Sequence, residues 1–173
     1  MMSTNFKKNR ADGFTLIEML VYVVIMGALL AMVMNIYLSL GKAREKATVI
    51  SEVERGGYTA MQTMTQSVRN AQSVVSPGGS ATSSTLSLTV YEASSSPTTF
   101  SVVSSMLYMT EGSITAALTN SRVMVSNLVF SNLTASTTDG SIQIQFTLTA
   151  PATGHTSGYS TTFFGSAEVR NFQ

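Results

Sequence analysis

Hydrophobic and polar positions divide the chain into three stretches with different patterns. Residues 19–34 are sixteen in a row without a charge or a strongly polar side chain, and the apolar run resumes through Ile36-Tyr37-Leu38 to Leu40. Wound as a helix at ~1.5 Å per residue, positions 19–40 cover roughly 33 Å, close to the thickness of a bilayer's hydrocarbon core. A buried helix of a water-soluble core normally keeps a polar face, and residues 20–34 have none. The run is therefore predicted to span a membrane. A cleaved secretory signal is a poorer fit, because its apolar part is shorter and only Ala43 and Ala47 follow as small residues.

Past the span the pattern changes period. Ile50, Val53, Gly57, Met61, Met64, Val68 and Ala71 follow one another at three or four residues, with Glu52, Glu54, Gln62, Gln66 and Arg69 off the stripe. That spacing predicts an amphipathic helix whose apolar side packs on the following domain. Pro77-Gly78-Gly79 stops any helix near Val75, so one helix is expected from Phe14 to about Val74. Gly56-Gly57 is its weak point, at ~1 kcal/mol per glycine against alanine, and a place to kink.

From residue 76 onward the period becomes two. Leu86, Leu88 and Val90 alternate with small polar residues, as do Ile142, Ile144, Phe146 and Leu148. Further strands are expected at 98–103, 106–110, 113–118, 123–130 and 159–169. Ser94-Ser95-Ser96-Pro97, Glu111-Gly112, Asp139-Gly140 and residues 151–158 supply the turns. About seven short strands in an antiparallel meander, one face on the helix stripe, make the fold class α+β. Ser and Thr number 37 in residues 76–173, with only six charges, a composition also seen in disordered or glycosylated stalks. The alternation favours a folded domain.

Composition removes several functions. Charged residues are 11% of the chain, against about 25% in soluble domains. A net charge of +1 leaves no basic field for nucleic acid. The absence of cysteine excludes a disulfide scaffold, a thiolate metal site, a cysteine nucleophile and a lipid anchor on Cys. Charge does not orient the span, since Lys7, Lys8 and Arg10 precede it and Lys42, Arg44, Lys46 and Arg55 follow it.

The junction before the span is more specific. It reads Arg10-Ala11-Asp12-Gly13-Phe14-Thr15-Leu16-Ile17-Glu18-Met19-Leu20: a basic leader, a glycine, a phenylalanine, and one glutamate at the mouth of the apolar run. This resembles the leader of type IV prepilins and type II secretion pseudopilins. The resemblance implies that prepilin peptidase cuts between Gly13 and Phe14 and that the new Phe14 amine is methylated. It implies a leader held in the cytoplasm, with Lys7, Lys8 and Arg10 as its charge, and a C-terminal domain on the outer side of the bacterial cytoplasmic membrane. The corresponding parts are 1–13 as cleaved leader and 14–40 as transmembrane and polymerisation helix. An amphipathic extension over 41–75 and a β domain over 76–173 complete the pilin-like arrangement.

Glycine at position 13 lets a protease approach the backbone, and Phe14 suits the membrane interface. Glu18 is costly at the edge of hydrocarbon and reads as functional, with interfacial snorkelling as the alternative. Pairing it with the Phe14 amine of an adjoining subunit neutralises both charges and sets the axial register. Many major pilins have a proline in this helix. Here Asn35 is the irregularity at comparable depth, and Gly27 is either a soft point or a site of close helix packing.

The segments TLSLTVYE, MLYMTEG, SRVMVSNLVFSNLT, GSIQIQFTLTA and FFGSAEVRN, together with Tyr22 in EMLVYVVIMG, resemble J-type minor pseudopilins and W-type minor pilins. That implies a minor subunit of a pilus or pseudopilus, at a tip or in initiation. Its partners are the peptidase, other pilins or pseudopilins, an inner-membrane assembly platform and, before assembly, the lipid bilayer.

Parts for an enzyme, a cofactor or a metal are not evident. His155 reads as a solvated loop histidine rather than a triad member with Asp139, and Asp139-Gly140 as a turn. No carboxylate cluster suits calcium, and Asn132-Leu133-Thr134 matches a glycosylation pattern that occurs often by accident. The competing function is a single-pass, membrane-anchored ligand-binding protein that is not assembled into fibres.

Overall fold

A computed structural model describes residues 13–134, 140–152 and 158–170. The chain divides into two compact units between Ala43 and Arg44, and helix α1 (Leu16–Arg69, 54 residues) contributes to both. In the first unit every large apolar side chain from Leu16 to Leu40 is exposed. By length and composition this is a helix that can cross a membrane. It continues without a break through Gly27 and Asn35. The Asn35 side-chain amide donates to the Ala31 carbonyl at 2.9 Å, so that donor is satisfied inside the helix rather than in lipid.

The second unit is α+β. Here α1 buries Val53, Gly57, Ala60, Met64 and Val68. The stripe expected from the sequence is thus the packed face, with Ala60 added to it. Among the described residues nine strands follow: β1 (Ala71–Ser76), β2 (Thr82–Ser83), β3 (Leu86–Val90), β4 (Thr98–Val103), β5 (Met106–Glu111), β6 (Ile114–Ala117), β7 (Met124–Asn132), β8 (Ser141–Ala150) and β9 (Tyr159–Glu168). They form two antiparallel sheets, of order β1-β3-β4-β5-β6 and β2-β7-β8-β9. Leu86, Leu88, Phe100 and Leu107 from the first sheet join Phe130, Ile142, Ile144, Phe146 and Leu148 from the second in one hydrophobic cluster with the helix.

Two expectations need correction. The helix ends at Arg69 rather than near Val74, and Ala71–Ser76 is a strand. The spacing from Val68 to Ala71 continues the helical stripe. However, Val74-Val75 is β-branched, and β3 supplies a partner, with Ala71 opposite Val90 and Val74 opposite Leu88. Nor do the strands form a single meander. β2 leaves the first sheet to pair with β7 through Thr82–Ser131 and Ser83–Phe130. The Val125 N–H then donates to the Ser105 carbonyl at 2.8 Å, tying β7 to the β4–β5 turn of the other sheet.

Asn132 of the Asn132-Leu133-Thr134 pattern has a packing role. It is buried, its side-chain amide donates to the Pro77 carbonyl at 3.3 Å, and its side-chain oxygen accepts from the Thr134 N–H and hydroxyl. An asparagine held this way staples the β1–β2 connection to β7.

The helix meets the second sheet through glycine on both sides. A Cβ at Gly57 would overlap the Phe163 ring of β9, and one at Gly165 of β9 would overlap the Met61 sulfur. Phe163 also stacks on Phe146 at 5.3 Å between centroids and meets Tyr58 edge-on at 5.6 Å. Gly57 is therefore the seat of an aromatic ring, in a helix that runs through Gly56-Gly57 unbroken.

The two adjacent glycines should respond in opposite ways. Gly57→Ala forces ring and helix apart and is expected to destabilise the domain by about 1–3 kcal/mol. A Cβ at Gly56 finds only Leu148 Cδ1, at 3.9 Å. Gly56→Ala should therefore stabilise by roughly 0.5–1 kcal/mol through helix propensity. Thermal unfolding of the full chain in detergent, followed by near-ultraviolet circular dichroism, reads both, and equal shifts in Tm would contradict the packing account.

Candidate functional site

The start of α1 gathers the residues that the sequence singled out. Gly13, Phe14 and Thr15 precede the helix, which begins at Leu16. A Cβ added at Gly13 meets nothing within 4 Å, and its backbone is not in the left-handed region. Among the described residues, the fold makes no demand for glycine there. Any requirement for it comes from outside the fold.

Thr15 is the helix cap. Its hydroxyl oxygen accepts from the Glu18 N–H at 3.3 Å, and its carbonyl accepts from the Met19 N–H at 3.2 Å. Thr-x-x-Glu at a helix start is the capping-box pattern, in which a side chain supplies the acceptor that the first turn lacks. A carboxylate in the first turn also faces the positive end of the helix dipole. The Glu18 side chain is partly shielded, and its Oε1 accepts a hydrogen bond from the Tyr22 hydroxyl at 3.2 Å, one turn further on. Glu18 is thus fixed through its backbone by Thr15 and through its side chain by Tyr22.

Sequence reasoning named Gly13, Phe14 and Glu18 but gave Thr15 and Tyr22 no role. Both signals were available, as the Thr15–Glu18 spacing of a capping box and the i,i+4 spacing of Glu18 and Tyr22. Lys7, Lys8 and Arg10 lie outside the described residues, as do His155 and Asp139.

Residues 8–34 match the prokaryotic N-terminal methylation motif. The match supports the type IV pilin and pseudopilin superfamily, and the motif implies processing by prepilin peptidase and assembly with other pilins. Together with the exposed apolar helix, it suggests a membrane-anchored pilin. No curated protein and no solved structure matches the chain.

The β domain offers a second surface feature. A groove of about 770 Å³ lies between the helix around Thr48–Thr59 and the segment Leu118–Val123. Its carboxylate, Glu52, is engaged by the Asn120 amide at 2.7 Å and by Arg122 at 3.7 Å. Those bonds hold the β6–β7 connection to the helix. Among the described residues no three His, Cys, Asp or Glu side chains come together as a metal site would require.

Removing the cap tests the geometry of the helix start. Thr15→Val keeps the shape and loses the acceptor, which should cost about 1 kcal/mol locally. Amide exchange of Glu18 in micelles is expected to rise about fivefold, while Thr15→Ser stays near the wild-type rate. Unchanged exchange in Thr15→Val would remove Thr15 from the role of cap.

Proposed function

We propose that the chain is a minor pilin or pseudopilin, a non-enzymatic structural subunit of a type IV pilus or type II secretion pseudopilus, placed at the tip or in initiation. Prepilin peptidase cuts between Gly13 and Phe14, and the Phe14 amine is methylated. The helix then leaves the cytoplasmic membrane for the fibre. The observation that carries this reading is the junction Gly13-Phe14-Thr15-Leu16-Ile17-Glu18 set at the mouth of an exposed apolar helix. The minor-subunit assignment draws on the J-type and W-type resemblance of the β-domain segments.

The chemistry follows from where the new amine appears. After cleavage a cation stands two residues before the first helical residue, at the positive end of the helix dipole, where it is unfavourable. Bilayer or packed helices around it exclude water, so it requires a carboxylate. Glu18 is the single charge between Phe14 and Leu40. Pairing across subunits neutralises both groups and fixes the step between neighbouring helices. Before assembly the helix anchors the subunit, with the leader inside and the β domain outside.

Intact-mass measurement of assembled protein should show loss of residues 1–13 and gain of one methyl group. Full-length chain alone in fibres would refute the assignment. Gly13→Val should block cleavage while leaving the fold intact, because nothing in the described chain contacts that position.

Glu18→Val should leave insertion and cleavage intact and reduce incorporation into sheared fibres, since an unpaired buried charge costs ~3–5 kcal/mol. Equal incorporation of both forms would refute the pairing. A mild defect points to a tip position, where no subunit lies above, and a severe one to the shaft.

A further inference from the structure

We propose that Tyr22 is a positioning residue for Glu18: its hydroxyl holds one carboxylate oxygen along the helix and leaves the other for the amine of an adjoining subunit. This rests on the assembly reading above and goes beyond it by naming what orients the carboxylate. The Tyr22 hydroxyl donates to Glu18 Oε1 at 3.2 Å. The direction follows from helix geometry, because side chains lean toward the N-terminus and Tyr22 therefore reaches back over the preceding turn to Glu18.

The medium strengthens the contact. Between Leu16 and Leu40 the polar side chains besides Glu18 are Tyr22, Asn35, Tyr37 and Ser39. Asn35 bonds its own helix, and the Tyr37 and Ser39 positions lie four or more turns from Glu18. A phenol in hydrocarbon needs an acceptor, since water is not at hand to supply one. The ordinary role of a membrane tyrosine, resting at the headgroup level, fits poorly here. Tyr22 lies eight residues past Phe14, roughly 12 Å along the helix at ~1.5 Å per residue. The hydroxyl and the carboxylate thus satisfy each other, and a charge-assisted bond of this kind is stronger than a neutral one.

Pinning one oxygen has a consequence for assembly. A free glutamate has three rotatable bonds to immobilise when it meets the amine. With Oε1 held, much of that loss is already incurred within the subunit, and the incoming amine meets an oriented Oε2.

The test uses the full chain in assembling cells and keeps the aromatic ring. In Tyr22→Phe, insertion and leader cleavage should match wild type, and the fraction of cleaved subunit recovered in sheared fibres should fall roughly three- to tenfold. In a Glu18→Val background, Tyr22→Phe should produce no further fall, because its effect acts through the carboxylate. The ¹³C shift of the Glu18 carboxyl in labelled full chain in bilayers should also move in Tyr22→Phe, which a packing role for the ring would not cause. Wild-type incorporation of Tyr22→Phe, an equal fall in both backgrounds, or an unmoved carboxyl shift would each overturn the proposal. Absence of the wild-type chain from fibres would overturn the assembly reading itself and this proposal with it, and the wild-type control alone reports that outcome.

Discussion

The β domain depends on one aromatic ring resting against the backbone of a helix. Phe163 is seated where α1 has Gly57 and no side chain, and stacks on Phe146 in the neighbouring strand. A ring brings a large apolar area into contact, and the missing Cβ lets strand and helix approach closely. Met61 repeats the arrangement in the other direction by filling the space left by Gly165. These two contacts set the register between β9 and the helix. β9 in turn pairs with all ten residues of β8, whose Ile142, Ile144, Phe146 and Leu148 are fully buried. A shift of one residue along either strand would turn that row outward, so the helix contact and the sheet register support each other.

The other half of α1 faces a different constraint. Its large apolar side chains from Leu16 to Leu40 are exposed among the described residues. A surface of this kind is stable in lipid or against other helices, and the few polar groups it carries must be satisfied locally. Thr15, Glu18, Tyr22 and Asn35 meet that demand with bonds that stay inside the helix or its cap. One continuous helix therefore joins a segment stabilised by its surroundings to a segment stabilised by its own domain. A fibre subunit held by its N-terminal helix has the same physical requirements.

Much of this is legible in the sequence alone. Hydropathy located the apolar run because a bilayer demands about twenty residues without charge, whatever else the protein does. The three- and four-residue spacing located the packed face of the helix, period-two alternation located β3 and β8, and turn residues bracketed five further strands, because burial on one side and chain reversal each leave a local mark. The Gly13-Phe14 junction and Glu18 stood out as departures from the surrounding pattern. Patterns were least informative where two periods overlapped. Ala71 belongs equally to a helix continuing from Val68 and to a strand facing Val90, and only the presence of β3 chooses between them.

The remaining decisions were tertiary. The expected strands bracketed the β4–β5 turn, but not the positive φ of both Ser104 and Ser105, which Asn-Gly would have announced and Ser-Ser does not. The two-residue β2 is too short to leave a period, and its pairing with β7 splits the strands into two sheets. Gly57 reads in isolation as a weakness of the helix and becomes a seat only when Phe163, over a hundred residues away, arrives to fill it. Sequence by itself determined the apolar span and the helix face, because each is a local demand on neighbouring residues. Which strands pair and what a missing side chain makes room for were decided by the tertiary structure, because those depend on partners distant along the chain.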